Sequence, residues 1–195
     1  MMAGYFLHQN QRYYFLHIPK TGGTMLAQVL KKSGISTGHG FVKNKPDGYT
    51  FTTIRNPLER IVSCFCYLQQ GGCWEGDVQD AAKYDITNNN FRDWIKLVYE
   101  DRDKYFEQQH VMPMMYRIGS VEFFDKIMLY ENLEQETKDL YEMILGETLD
   151  IVPTVNKTER DHFEKYYDEE TKKLVQNLYE QDIIMYEGII NGKTA

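Results

Sequence analysis

The chain has 195 residues, 42% of them hydrophobic and 26% charged, with a net charge of -7 at pH 7. A chain of this length can bury a full core and predicts one domain over residues 1–195. Its fifteen Tyr and ten Phe exclude a disordered polymer, and the acidic balance excludes general nucleic-acid binding and adhesion to anionic membranes while allowing a local basic pocket.

Residues 1–12 form a short lead-in that can supply an extra strand. Met1 to His8 lacks the basic start and the length of a signal peptide, and no stretch approaches the roughly 20 apolar residues of a membrane span. The expected location is therefore cytoplasmic. Tyr13 to Ile18 is an almost unbroken apolar run of strand length, as in a strand buried on both faces. Pro19 stops it, and Gly22-Gly23 permits a sharp turn. Thr24 is the expected cap of a helix carrying Met25, Leu26, Val29 and Leu30 on one side and ending near Gly34.

Ser36 to Gly48 is loop-like and holds His39. Tyr49 to Ile54 is a second strand, rich in aromatic and β-branched residues. Arg55-Asn56-Pro57-Leu58-Glu59-Arg60 follows as a helix start, with Asn56 at the N-cap, Pro57 at the first position and Glu59 where a capping-box carboxylate belongs. Leu58, Ile61, Val62, Phe65 and Leu68 make its apolar stripe. Cys64, Cys66 and Cys73 form neither a disulfide framework nor a zinc pattern and read as buried thiols.

Gln69 to Asn90, with Gly71-Gly72 and Asn88-Asn89-Asn90, reads as an irregular connection, mobile or substrate-facing. Phe91 to Phe106 reads as one helix with Phe91, Trp94, Ile95 and Val98 on one side. Gln108 to Ser120 reads as a loop in which Met112, Met114 and Met115 fill core. Lys126 to Tyr130 is a third strand, and Glu134 to Leu145 a helix stopped by Gly146. Thr148 to Arg160 is a loop; its Asn156-Lys157-Thr158 sequon reads as coincidence. Asp168 caps a final helix with Leu174, Val175, Leu178 and Tyr179. Strand–loop–helix units in succession predict an α/β fold: P-loop-like and three-layered, with a central mainly parallel sheet flanked by helices.

The loop Pro19-Lys20-Thr21-Gly22-Gly23-Thr24 combines backbone N–H groups, hydroxyls and a Lys at a helix N-terminus, a natural anion site. It is not a Walker A sequence, because the Lys precedes the glycines. A second anion element pairs Arg55, at a strand end, with Ser63, about two helical turns past the Asn56 cap. A guanidinium and a hydroxyl so placed can grip one phosphate.

Together the two elements resemble the sulfotransferase family. Ile18 to Thr24 is similar to that family's 5′-phosphosulfate loop, and Ile54 to Ser63 to its 3′-phosphate segment. The wording is closest to the carbohydrate-type, heparan-sulfate 2-O-sulfotransferase-like and related bacterial branch. The resemblance implies the donor 3′-phosphoadenosine 5′-phosphosulfate (PAPS), with Lys20, Thr21, Gly22, Gly23 and Thr24 on the 5′-phosphosulfate and Arg55 and Ser63 on the 3′-phosphate. Lys20 would also steady charge on the leaving oxygen, with no metal required.

The resemblance further assigns the acceptor's base to His39, in Gly38-His39-Gly40-Phe41. An unperturbed imidazole titrates near ~6.5, which suits proton acceptance at neutrality. The 2-O group reads His-x-His here and usually gives catalysis to the later His, where this chain has Phe41. His110 is the second candidate, and His17 reads as structural. Lys157, Thr158 and Arg160 fall where related enzymes close a segment over the donor. The expected acceptor is a hydroxyl of a sugar or other small metabolite, ahead of a protein tyrosine, with Lys43 and Lys45 as a local basic rim. A kinase using ATP and a non-catalytic nucleotide-binding module on the same frame are the alternatives.

Overall fold

The computed structural model describes residues 4–8, 10–32, 40–152 and 159–192. In chain order the elements are β1 (Gly4–His8), β2 (Gln11–Leu16), α1 (Gly23–Lys32), β3 (Tyr49–Ile54), α2 (Pro57–Gln69), α3 (Glu75–Lys83), α4 (Phe91–Glu100), α5 (Arg102–Phe106), α6 (Met114–Ile118), β4 (Lys126–Leu129), α7 (Leu133–Leu145), α8 (Glu169–Leu178) and α9 (Glu180–Ile190). They gather into two compact units, one from residues 1–55 and 114–157, the other from residues 56–113 and 158–193. No described helix is long and apolar enough to cross a membrane.

The first unit carries the sheet, in the order β1-β2-β3-β4. β2, β3 and β4 run parallel, and β1 folds back antiparallel on β2, so the lead-in does supply the extra strand. The sheet is thus mixed, with its parallel part as expected of an α/β fold. Phe15 lies opposite Phe51 in register, and their rings stack at 5.3 Å. These two, with Tyr13 and Met128, form one apolar cluster with Leu26 and Leu30 of α1 and Leu133, Leu140 and Ile144 of α7. Both helices therefore bury their apolar stripes on the sheet.

Small differences from expectation have local causes. α1 starts at Gly23, because the Met25 N–H already bonds the Gly22 carbonyl at 3.0 Å; Thr24 sits inside the first turn and not at the cap. Its expected end near Gly34 lies outside the described residues. Gly146 ends α7 in the left-handed region at φ +69°, as its position implied. The Gln108–Ser120 stretch contains α6, whose Met114 and Ile118 are fully buried.

The second unit is helical. α2 starts as predicted, with the Asn56 side chain accepting the Leu58 and Glu59 N–H groups. Its Ile61, Val62, Phe65 and Leu68 join Trp94, Ile95 and Val98 of α4 in the core. Trp94 is fully buried, and its indole N–H donates to the Tyr84 carbonyl at 3.0 Å. The expected Phe91–Phe106 helix is broken at Asp101, whose carboxylate instead caps α5 by accepting from the Lys104 N–H. Asp168 caps α8 through a reciprocal pair with Thr171. α9 continues past it, where no one-sided apolar stripe announces a helix.

The Gln69–Asn90 connection is not irregular throughout, since α3 occupies Glu75–Lys83. Only Asp77 and Ala81 of this helix are buried, so it shows little amphipathic signal. Asp77 anchors it. The Asp77 carboxylate accepts from the Tyr67 hydroxyl at 2.6 Å and from the N–H groups of Cys73 and Trp74. Cys64 and Cys66 are buried as expected, but Cys73, on this turn, is exposed.

Burial alone would raise the Asp77 pKa, but the Tyr67 hydroxyl, the two N–H groups and the nearby His110 hold it below the ordinary carboxylate range. A carboxylate lowered in the folded state contributes stability above its unfolded pKa and loses it as pH falls through the folded value. Tyr67→Phe is therefore expected to lower stability by about 1–3 kcal/mol at neutral pH. The deficit should shrink below the ordinary carboxylate range, as Asp77 takes up its proton. Urea unfolding of both proteins across pH checks this.

Candidate functional site

The carboxyl ends of parallel strands are where α/β sheets bind ligands. In the first unit three segments meet there. The Lys20 loop follows β2, Arg55 follows β3 directly, and Tyr130 follows β4 directly.

The loop is built for close backbone approach. Lys20 itself adopts φ +67° and Gly22 φ +83°. The first is unusual for a residue with a Cβ, and such strain collects at functional sites. A Cβ on Gly22 would overlap Leu133 and lie 2.9 Å from Tyr130 Cδ2. A Cβ on Gly23 would overlap the ring of His17. His17 is buried and stacks on Phe15 at 5.7 Å, which bears out its structural reading. The loop thus lies flat on the residues beneath it and turns straight into α1. The first N–H groups of a helix lack intrahelical acceptors and carry partial positive charge, which favours an anion.

Thr21 is fully buried. Its hydroxyl lies 2.8 Å from the Ile18 carbonyl and 2.7 Å from the Thr53 hydroxyl, so it ties the loop to β3. Thr53 is a part of the site's frame that sequence reasoning passed over. Arg55 is only 5% exposed. Its guanidinium donates to the Lys20 carbonyl at 3.2 Å and lies over the Tyr130 ring, 3.7 Å from the centroid. The structure therefore brings Lys20, Thr21, Gly22, Gly23, Thr24 and Arg55 together at one sheet edge. The sequence pattern extends the third parallel strand to Tyr130, one residue past its end at Leu129. Its place just past the third parallel strand was the signal that it belongs here.

The remaining candidates are distributed otherwise. Ser63 is buried on α2 in the second unit. His39, Lys157 and Thr158 lie outside the described residues. His110 is buried, with its ring Nδ1 3.0 Å from the Gln108 amide and its ring packed against Tyr67, so the second-choice base sits in an interior polar cluster. Arg160 donates to the Glu59 carboxylate at 2.8 Å, which ties both to each other. Arg60 is 1% exposed and donates to the carbonyls of His110 and Met112. Lys45 of the supposed basic rim pairs with Asp125 at 2.8 Å. Among the described residues no group of His, Cys, Asp and Glu is arranged to hold a metal ion.

The model of the sulfotransferase family matches residues 4–187, a span that draws on both compact units. No individual curated protein and no solved structure gives a significant match.

Gly22→Ala is expected to cost about 1–2 kcal/mol from its left-handed backbone alone, before the overlap with Leu133 is counted. Gly23→Ala has no such backbone cost and acts only by displacing His17. Chemical denaturation of the two variants separates the contributions.

Proposed function

The chain belongs to the sulfotransferase family, and on that premise we propose that it transfers a sulfuryl group from PAPS to the hydroxyl of a sugar or other small metabolite. Sulfuryl transfer is the reaction of the family as a whole. The donor, the acceptor class, its place in the carbohydrate-type branch and the base are the finer reading. One observation supports the donor part of that reading: the Lys20 loop and Arg55 are joined at the carboxyl ends of the strands by the 3.2 Å bond from Arg55 to the Lys20 carbonyl.

The residues fit a donor with two separated anionic ends. The Gly22-Gly23 backbone leaves no room for a side chain and turns into the α1 N-terminus, which suits a phosphosulfate held by N–H groups. The Thr21 hydroxyl is committed to Ile18 and Thr53, so in this reading Thr21 contributes its N–H, while Thr24 sits in the first helical turn and offers N–H and hydroxyl. Arg55, with Ser63, recognises the 3′-phosphate that distinguishes PAPS from ordinary adenine nucleotides. Lys157 and Thr158 complete the donor contacts from the Thr148–Arg160 segment.

PAPS supplies the sulfuryl group and a phosphate leaving oxygen. Lys20 and the N–H groups of the loop stabilise the negative charge that builds on that oxygen, as preorganised donors do in the related phosphoryl transfers. His39 accepts the proton of the acceptor hydroxyl as its oxygen attacks sulfur. An arginine in place of a second lysine suits the 3′-phosphate end, since its planar fork can take two phosphate oxygens at once.

Thermal shift with adenosine 3′,5′-bisphosphate (PAP) and with ATP tests the donor. PAP is expected to stabilise the protein and ATP to do so far less; a preference for ATP refutes the reading. Arg55→Ala should weaken PAP binding by at least about tenfold, the loss of a charge-assisted bond, with a smaller effect on the unfolding midpoint. His39→Ala should abolish sulfuryl transfer in an acceptor screen followed by mass spectrometry, yet leave PAP affinity unchanged. Near-normal turnover would move the base elsewhere.

A further inference from the structure

We propose that Tyr130 is a positioning residue of the donor site, holding Arg55 in the orientation that reads the 3′-phosphate. The proposal rests on the PAPS reading above and concerns a residue to which that reading gives no role.

The geometry is that of a face-on stack. Arg55 Cζ lies over the Tyr130 ring, 3.7 Å from its centroid, which is van der Waals contact. Arg55 is 5% exposed, whereas Tyr130 is 37% exposed. An arginine on its own has many rotamers, and ordering it on binding costs affinity. A ring beneath the guanidinium removes that freedom before any ligand arrives. It does so through the face of the cation, so it uses none of the N–H donors and neutralises none of the charge.

Tyr130 also touches the other half of the site. Its Cδ2 lies where a Cβ on Gly22 would fall within 2.9 Å. The same side chain therefore backs the 5′ loop with its Cδ2–Cε2 edge and supports Arg55 with the ring face. Its place in the chain explains how it can do so: β4 ends at Leu129, paired with Ile54 of β3, so the next residue on each strand is Tyr130 and Arg55. The sheet register puts ring and guanidinium side by side.

Leucine at this position keeps carbon atoms out to Cδ behind Gly22 and removes the face under Arg55. The test is titration calorimetry of the full chain with PAP and with adenosine 5′-monophosphate, which differs from PAP in lacking the 3′-phosphate. Tyr130→Leu is expected to weaken PAP about tenfold, within the range of a desolvated cation–π contact, and to leave the monophosphate within about twofold. Tyr130→Phe, which retains the ring, should match wild type for both ligands. If Tyr130→Leu lacks a cooperative unfolding transition, Tyr130→Met replaces it with the same expectation. The role is overturned if the ring-less variant binds PAP as wild type does, if both ligands weaken in parallel, or if Tyr130→Phe loses as much as Tyr130→Leu. Wild type that does not bind PAP overturns the PAPS reading and this role with it, which sets that failure apart from the others.

Discussion

Everything at the sheet edge depends on how closely the backbone after β2 can approach its neighbours. Gly22 and Gly23 leave no space for a Cβ against Leu133, Tyr130 and His17. Because they are glycines, the loop lies on the ends of the strands and enters α1 without a detour. The Lys20 carbonyl is then within reach of Arg55, the Thr21 hydroxyl within reach of Thr53, and the α1 N-terminus faces the same edge. A bulkier loop would stand off by the thickness of a side chain and lose all three relations together. The positive φ of Lys20 is part of the same constraint, a strain the surrounding bonds offset.

The polar groups at this edge are held by specific partners. Thr21 and Thr53 satisfy one another in a fully buried position, where an unmet hydroxyl would be costly. Arg55 donates to the Lys20 carbonyl and lies over the Tyr130 ring face.

In the helical unit, buried polar groups do a different job. Asp77 gathers a hydroxyl and two N–H groups into one carboxylate oxygen, which fixes the Gly71–Trp74 turn ahead of α3. Arg60 donates to carbonyls at 110 and 112, and the Tyr179 hydroxyl donates to the carbonyl of Val111. The 108–112 stretch lacks its own ladder, and side chains from α2 and from the end of α8 meet its backbone demands. That accounts for a histidine and a buried arginine whose charges do not advertise a site.

Local chemistry was enough to read much of this protein from its residues. The strand Tyr49–Ile54, the Asn56-Pro57 helix start, the Gly146 stop, the Asp168 cap and the order of Lys20 before two glycines all depend on neighbours within a few positions, where steric and capping rules act directly. The family follows from two such segments in order. What short-range rules could not supply were the features set by contacts distant in sequence: α3, which owes its place to Asp77 meeting Tyr67 across ten residues; the burial of His110 and Arg60; and the commitment of the Thr21 hydroxyl to Thr53. Tyr130 is the clearest case. By itself it is one tyrosine among fifteen, and only the pairing of β4 with β3 sets its ring under Arg55, because register between strands is decided by packing of the whole sheet and not by the residues of either strand alone.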